Sequence, residues 1–345
     1  MRQRIASFIG HRIPIPLERV RASFGEALPV HLKEWIFCLG GTPALMFGIL
    51  ASTGVLLMFY YIPDSEHAYR SVADITMHVR FGWFIRGIHH AAAHLMVIAV
   101  LLHLYRVFGT RAYRKPRELN WMMGVILLLT VLGFTFTGYS LVCDQLSYWA
   151  TTVGTNMIGS APVIGESLLT FARGGAGVNP NTLTRFFFLH IGILPVALTV
   201  LVVGHILLAR LHGVAPLEGD PRPETYPFHP EHTLRELIIL MLVLIGLVNY
   251  VMFFPPELHE PADPSTTPEG IHPEWYFYPP FRLLKLMPRQ AAFWCVSIFI
   301  GCMFAWPFLD RGLDRIAPGK NVGRIVGSAA FLLLLVLLVW EAVAG

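Results

Sequence analysis

Charge is what this sequence has least of. Asp, Glu, Lys and Arg make up 14% of its 345 residues, against about 25% in an ordinary soluble domain. Cysteine is scarce and unpaired. Cys38, Cys143, Cys295 and Cys302 form no CxxC or CxxCH spacing, so neither a disulfide framework nor a zinc site is indicated. There is no Cys-His cluster that could hold an iron–sulfur centre, no repeat of 20–50 residues and no low-complexity tract. No cleavable signal peptide is expected. Residues 1–35 are basic and interrupted by Pro14, Pro16 and Pro29, and read as an interfacial segment lying on a membrane.

Long apolar runs are abundant instead. The chain is 54% hydrophobic, with a mean hydropathy of +0.57. Seven stretches stand out: 36–61, 82–104, 120–142, 185–209, 234–254, 291–309 and 325–343. Each, as a helix, can span a hydrocarbon layer about 30 Å thick. A soluble bundle would show polar faces at a 3.6-residue period, and these stretches mostly do not. The expectation is an all-α integral membrane protein with seven transmembrane helices. The polar, Pro-rich stretch 213–233 separates four helices from three, dividing the chain into 1–212 and 213–345; a second Pro-rich stretch, 255–290, links the fifth and sixth. Of the 26 Lys and Arg, 18 fall in 1–35, 105–120, 210–235 and 310–324, which share one side of such a topology. The positive-inside rule then places the N-terminus in the cytoplasm and the C-terminus outside. The net charge of +4 is a topology signal and gives no reason to expect nucleic-acid binding.

Four histidines lie where ionisable groups are costly and usually functional. His89 and His103 are fourteen apart on the second stretch; His190 and His205 are fifteen apart on the fourth. At 100° per residue these spacings end about 40° short of a full turn and about 60° past one, so each pair shares one broad face with its members about 21–22 Å apart. Both stretches run from outside to inside, so His89 can face His190 near one surface and His103 can face His205 near the other. Two His–His pairs bridging two helices suit two six-coordinate haems that leave no open position for oxygen. His90 and His94 lack partners of matching depth and read as non-ligands.

Glycine repeats the spacing. Gly40 and Gly54 are fourteen apart, as are Gly124 and Gly138. A residue without a side chain lets a flat macrocycle approach the backbone, and membrane helices also use glycine for simple packing. Arg86, Arg106 and Arg117 lie near helix ends, where guanidinium groups can pair with haem propionates. Positive-inside anchoring explains Arg106 and Arg117 equally well; Arg86, on the outer side, fits the propionate reading better.

These residues resemble the cytochrome b family over nearly the whole chain. The resemblance is carried by Gly82-Trp83-Phe84-Ile85-Arg86 with His89, by Thr182-Leu183-Thr184-Arg185-Phe186 with His190 and Pro195, and by Pro273-Glu274-Trp275-Tyr276. The fifteen-residue spacing, Cys38-Leu39-Gly40-Gly41, Lys115-Pro116-Arg117-Glu118-Leu119 and Ala161-Pro162-Val163-Ile164-Gly165 resemble the b-six type, and Glu260-Pro261-Ala262-Asp263-Pro264 resembles subunit four. The resemblance implies a four-helix diheme part joined in one chain to a three-helix part that completes a quinol site. It implies a multi-pass protein of a bacterial inner membrane that works as a quinol oxidoreductase within a bc/bf-type complex. Quinol is oxidised outside by bifurcation, one electron going to a Rieske iron–sulfur protein and the other across two haem b, with proton translocation. A c-type cytochrome subunit, membrane lipid and a dimer of the complex are implied as partners.

By the same resemblance Glu274 takes a proton from quinol and Tyr276 shapes the pocket; taken alone, Glu274 reads as a cap of the helix that follows. A loop carboxylate beside an apolar pocket is expected to have a raised pKa. Cys38 aligns with a cysteine that holds a third, high-spin haem by one thioether, although a buried cysteine is usually a small packing residue. Arg210, five residues past His205, falls where a propionate of that haem would lie. Val142-Cys143-Asp144-Gln145 departs from the family's Pro-Trp-Asp-Gln, which alters the outer rim of the pocket; a different quinone type, a different partner docking and an outer-side thiol at Cys143 open to oxidation are equally open consequences. Cys295 and Cys302 read as packing residues. The rival reading is a diheme electron-transfer and anchoring module of another respiratory assembly, without bifurcation.

Overall fold

In lipid, backbone N–H and C=O groups must be satisfied within their own segment, so apolar runs become helices. The computed structural model describes residues 27–217, 224–268 and 270–344. The first 26 residues of the expected interfacial segment, with Pro14 and Pro16, lie outside these. The described helices are α1 (Thr42–Met58), α2 (Ala68–Met77), α3 (Gly82–Gly109), α4 (Glu118–Ser140), α5 (Gln145–Ile158), α6 (Gly165–Arg173), α7 (Pro180–Phe188), α8 (Leu194–His212), α9 (Thr233–Phe253), α10 (Tyr278–Leu286), α11 (Arg289–Phe304), α12 (Trp306–Ile316) and α13 (Val322–Ala344). Two three-residue strands, β1 (Ala27–Pro29) and β2 (Thr225–Pro227), pair antiparallel and bring Leu28, Leu32 and Tyr226 into one apolar cluster.

Among the described residues, five continuous helices are long and apolar enough to cross a bilayer: Gly82–Gly109, Glu118–Ser140, Pro180–His212, Phe228–Phe253 and Val322–Ala344. The first apolar stretch yields a shorter helix, α1, of 17 residues. The sixth departs from expectation. Instead of one span over 291–309, α11 and α12 meet at a 76° bend. Pro307, in the first turn of α12, has no N–H to give the carbonyl of Met303 four residues earlier. That carbonyl instead accepts the indole N–H of Trp121 at 2.7 Å. Beyond the bend α12 is amphipathic, and its buried Asp310 takes Arg114 at 2.9 Å and faces Arg111 at 3.6 Å.

A second irregularity sits at a predicted site residue. Leu189–Ile193, between α7 and α8, is a π-helical turn containing His190. Pro195 follows in the first turn of α8, where its missing N–H favours a widened register just upstream. Helix α1 packs on α3, α4 on α8, and α9 on α3. Between the four helices α1, α3, α4 and α8 lies a plug of Met46, Met96, Val97, Val131 and Leu198. Met96 and Val131 stand midway between the paired histidines or glycines of their helices, so the plug separates an outer from an inner tier.

Candidate functional site

Both histidine pairs form. The ring centroids of His89 and His190 are 6.4 Å apart, and those of His103 and His205 are 6.3 Å apart. Two imidazoles bound on opposite sides of one metal, each about 2.0 Å away, have centroids about 6.3 Å apart. The spacing therefore suits one iron between each pair. Each predicted glycine backs one ring. A Cβ added at Gly54 would lie 3.3 Å from His89 Cε1, and at Gly138 only 2.5 Å from His190 Cε1. At Gly40 it would lie 3.6 Å from His103 Cε1, and at Gly124 3.5 Å from His205 Cε1.

Two threonines missed in the sequence orient the outer rings. Thr53 Oγ1 is 2.9 Å from His89 Nδ1, and Thr137 Oγ1 is 3.1 Å from His190 Nδ1. Each hydroxyl already donates its proton up its own helix, Thr53 to the Ile49 carbonyl at 2.7 Å and Thr137 to that of Gly133 at 2.8 Å. Toward histidine the oxygen can then only accept, so Nδ1 carries the proton and Nε2 is left bare for a metal. The signal was present: Thr53-Gly54 and Thr137-Gly138 repeat as dipeptides. The inner rings lack this support. His103 Nδ1 faces Arg106 Nη2 at 3.3 Å, and the Asn120 backbone lies beside His205 Nδ1 without a hydrogen bond of normal geometry.

The arginines divide. Arg106 keeps a buried Nε with no partner, the kind of orphan an anionic group would satisfy, while its guanidinium lies over Phe37. Arg117 is already engaged, donating to the carbonyls of His212, Gly213 and Val214 at the C-terminus of α8. Arg86 donates to the carbonyls of Pro256 and Glu257 at 3.0 Å each, tying the start of α3 to the outer loop. Arg210 lies over the ring of Phe228. Cys38 is fully buried in the 3₁₀ turn Trp35–Gly40, two residues from Gly40. The space beside Gly41 is filled by the Glu236 carboxylate, one oxygen of which is buried without a partner.

The outer tier opens into a cavity of about 390 Å³ lined by His89, His190, Glu274, Tyr276, His90 and His94. Glu274 precedes the 3₁₀ turn Trp275–Phe277 and does not cap it with its side chain. Its carboxylate turns inward to His90 Nε2 at 3.8 Å and His94 Nε2 at 3.7 Å. Trp275 Nε1 donates to His94 Nδ1 at 2.9 Å. Tyr276 packs against His94, with ring centroids 5.8 Å apart. Burial pushes the Tyr276 phenol up, with the Glu274 charge adding to it. For Glu274 the expectation of a raised pKa is corrected. Burial does act upward, but the neighbouring His90 and His94 rings outweigh it, so the carboxyl sits below its ordinary value.

The altered segment 142–145 meets the subunit-four-like segment: Gln145 N donates to the Glu260 carbonyl at 2.9 Å, and Asp144 bridges to Pro261. Asp144 caps α5 in a box with Ser147, while Cys143 adopts a left-handed backbone with φ 59. The Cys143 thiol is half-buried, and burial followed by the Asp144 charge pushes its pKa above the ordinary value, against the expectation of a readily oxidised thiol. Cys295 and Cys302 are exposed on α11.

Two family models match this chain: cytochrome b/b6/petB over residues 24–213, and the C-terminal cytochrome b/b6/petD model over 261–344. The chain belongs to the cytochrome b/b6 family. It is 35% identical to cytochrome b of Rickettsia bellii over 333 residues, covering 93% of this chain and 82% of the relative. It is 44% identical to cytochrome b6 of Heliobacterium mobile over 188 residues, covering 54% of this chain and 88% of the relative. Its fold is similar to a chain of a hyperthermophilic respiratory Complex III, with a TM-score of 0.79, 26% identity and 98% coverage of both chains. Membership of the cytochrome b/b6 family accords with haem binding and electron transport by a multi-pass membrane protein.

Proposed function

We propose that this chain is the quinol-oxidising subunit of a bc/bf-type complex. The observation that carries the reading is the single cavity onto which Glu274 and Tyr276 converge with the outer pair, His89 and His190. His89 with His190 and His103 with His205 would each hold one haem b, which would supply a one-electron carrier on either side of the apolar plug. Quinol bound beside Glu274 gives a proton to its carboxylate, whose pKa the two neighbouring histidines lower. Tyr276 fixes one wall of the pocket. One electron leaves outward to a Rieske iron–sulfur partner, and the other passes inward to a quinone near the cytoplasmic face. Protons are released outside and taken up inside.

The remaining features of this reading are finer. All seven apolar segments cross a bacterial inner membrane, with the C-terminus outside, and residues 1–212 and 213–345 act as diheme and quinol-site parts. Cys38 would hold a third haem through one thioether with Arg210 near a propionate of it, and Arg86 and Arg106 would face propionates of the two haem b. A c-type cytochrome subunit and a dimer of the complex complete the assembly. Glu274→Gln keeps the shape but not the proton acceptor, and should lower steady-state quinol oxidation by the purified complex on the order of 10²–10⁴-fold. Unchanged turnover would remove Glu274 from the chemistry and leave the non-bifurcating alternative standing.

A further inference from the structure

Glu341 stands in the last turn of α13, where neither haem tier nor the quinol chemistry gives it a task. A carboxylate is disfavoured there twice over. An acid in an apolar span is costly unless paired, and the C-terminal end of a helix is the negative end of its dipole. Yet Glu341 is fully buried, on the helix that packs against both α10 and the turn Trp275–Phe277.

Three cationic side chains converge on it. Lys285 Nζ donates to its Oε1 at 2.5 Å, Arg282 Nη1 donates to its Oε2 at 3.3 Å, and His272 Nδ1 lies 3.0 Å from Oε1. Arg282 and Lys285 are three apart on α10 and so share one face. Arg282 also lies over the Trp340 ring, and His272 packs against Tyr278 and Phe281. These partners bracket Glu274. His272 comes two residues before it, while Arg282 and Lys285 follow on the helix into which its turn leads. The bracketed backbone has little else to hold it. Among the described residues, no backbone N–H from 267 to 274 donates to a main-chain carbonyl. Toward α3 the segment is tied by Trp275 Nε1 to His94, and on the opposite side by Glu341.

We propose that Glu341 is a positioning residue that holds the Glu274 segment against the outer cavity, through His272 on one flank and Arg282 with Lys285 on the other. Its effect on turnover rests on the proposed role of Glu274. A misplacement of about 1 Å can cost a catalytic group up to about 10²-fold in rate. Quinol itself meets the other walls of the cavity, so kcat should suffer more than KM.

The test uses the purified complex, with hydrogen–deuterium exchange of residues 267–278 and steady-state oxidation of a short-chain quinol. Glu341→Gln should raise exchange in that segment several-fold, leave α1 and α3 unchanged, and lower kcat about tenfold with KM within about twofold. Lys285→Gln leaves Arg282 and His272 on the carboxylate, and gives the same comparison in milder form should Glu341→Gln lose haem. In a Glu274→Gln background, Glu341→Gln should lower kcat no further, because two residues that act as one unit do not add. Wild-type exchange of 267–278 in both variants would overturn the proposal, as would a full additive loss in the double variant. Raised exchange, with Glu274→Gln alone turning over like wild type, would uphold the anchoring by Glu341 and sink the catalytic role of Glu274 instead.

Discussion

The outer and inner histidine tiers share one spacing and differ in how they are supported. In the outer tier a threonine beside each glycine fixes the ring's tautomer, and a Cβ added at either glycine would come within 2.5 or 3.3 Å of an imidazole. In the inner tier the corresponding neighbours are Leu39 and Met123, an added Cβ would lie 3.6 and 3.5 Å from the rings, and an arginine faces His103. The outer site is thus tightly set beside the pocket where quinol chemistry is proposed. The inner site keeps slack, with the buried orphan of Arg106, the unpartnered Glu236 oxygen and Cys38 nearby. Identical spacing in the sequence has been put to two structural uses.

Replacing the glycines should expose that difference most strongly. Gly138→Ala drives a methyl into His190 and should lower outer-haem occupancy several-fold in spectra of the purified protein. Gly124→Ala meets ordinary van der Waals contact and should keep nearly full inner-haem occupancy. Equal losses would erase the distinction between tiers. Next in size, Thr137→Val removes the acceptor that orients His190 and should weaken outer-haem retention by about 10–100-fold. Retention can be followed by transfer to a haem-scavenging apoprotein. Among the described residues the inner tier has no hydroxyl whose removal would act in this way. The smallest effect lies on the outer rim. Because the Cys143 thiol is raised, its thiolate is scarcer at neutral pH than that of a free cysteine and grows only as pH climbs through the raised value. Alkylation followed by mass spectrometry should therefore be slower at Cys143 than at a free thiol at pH 7–8 and rise more steeply above it.

Much of this was legible in the sequence, for reasons that can be named. Apolar length marked the helices, and a fourteen- or fifteen-residue repeat is whole-turn arithmetic that any straight helix obeys. For this reason His89, His103, His190 and His205 paired as expected. What escaped was irregular or non-local. The bend at Ala305 needed both Pro307 and an indole, Trp121, to satisfy the freed carbonyl. The setting of Glu274 depended on the path of the Pro-rich 255–290 segment, which returns the carboxylate to α3. No local pattern announced that His90 and His94 would meet it, and so the direction of its pKa was misjudged. Arg117 looked equally suited to propionates and to anchoring, and only the fold showed it capping α8.

The central claim is two haem tiers held by two matched histidine pairs. The direct test is a haem inventory of the purified complex by pyridine haemochrome spectra, before and after acidic organic extraction, in wild type, His190→Leu and His205→Leu. The account predicts two extractable haem b per wild-type chain and the loss of one in each variant, the outer or the inner according to the pair broken. A bound remainder lost in Cys38→Ala would add the third haem. No extractable b haem in the wild type, or no loss in either variant, would contradict the account.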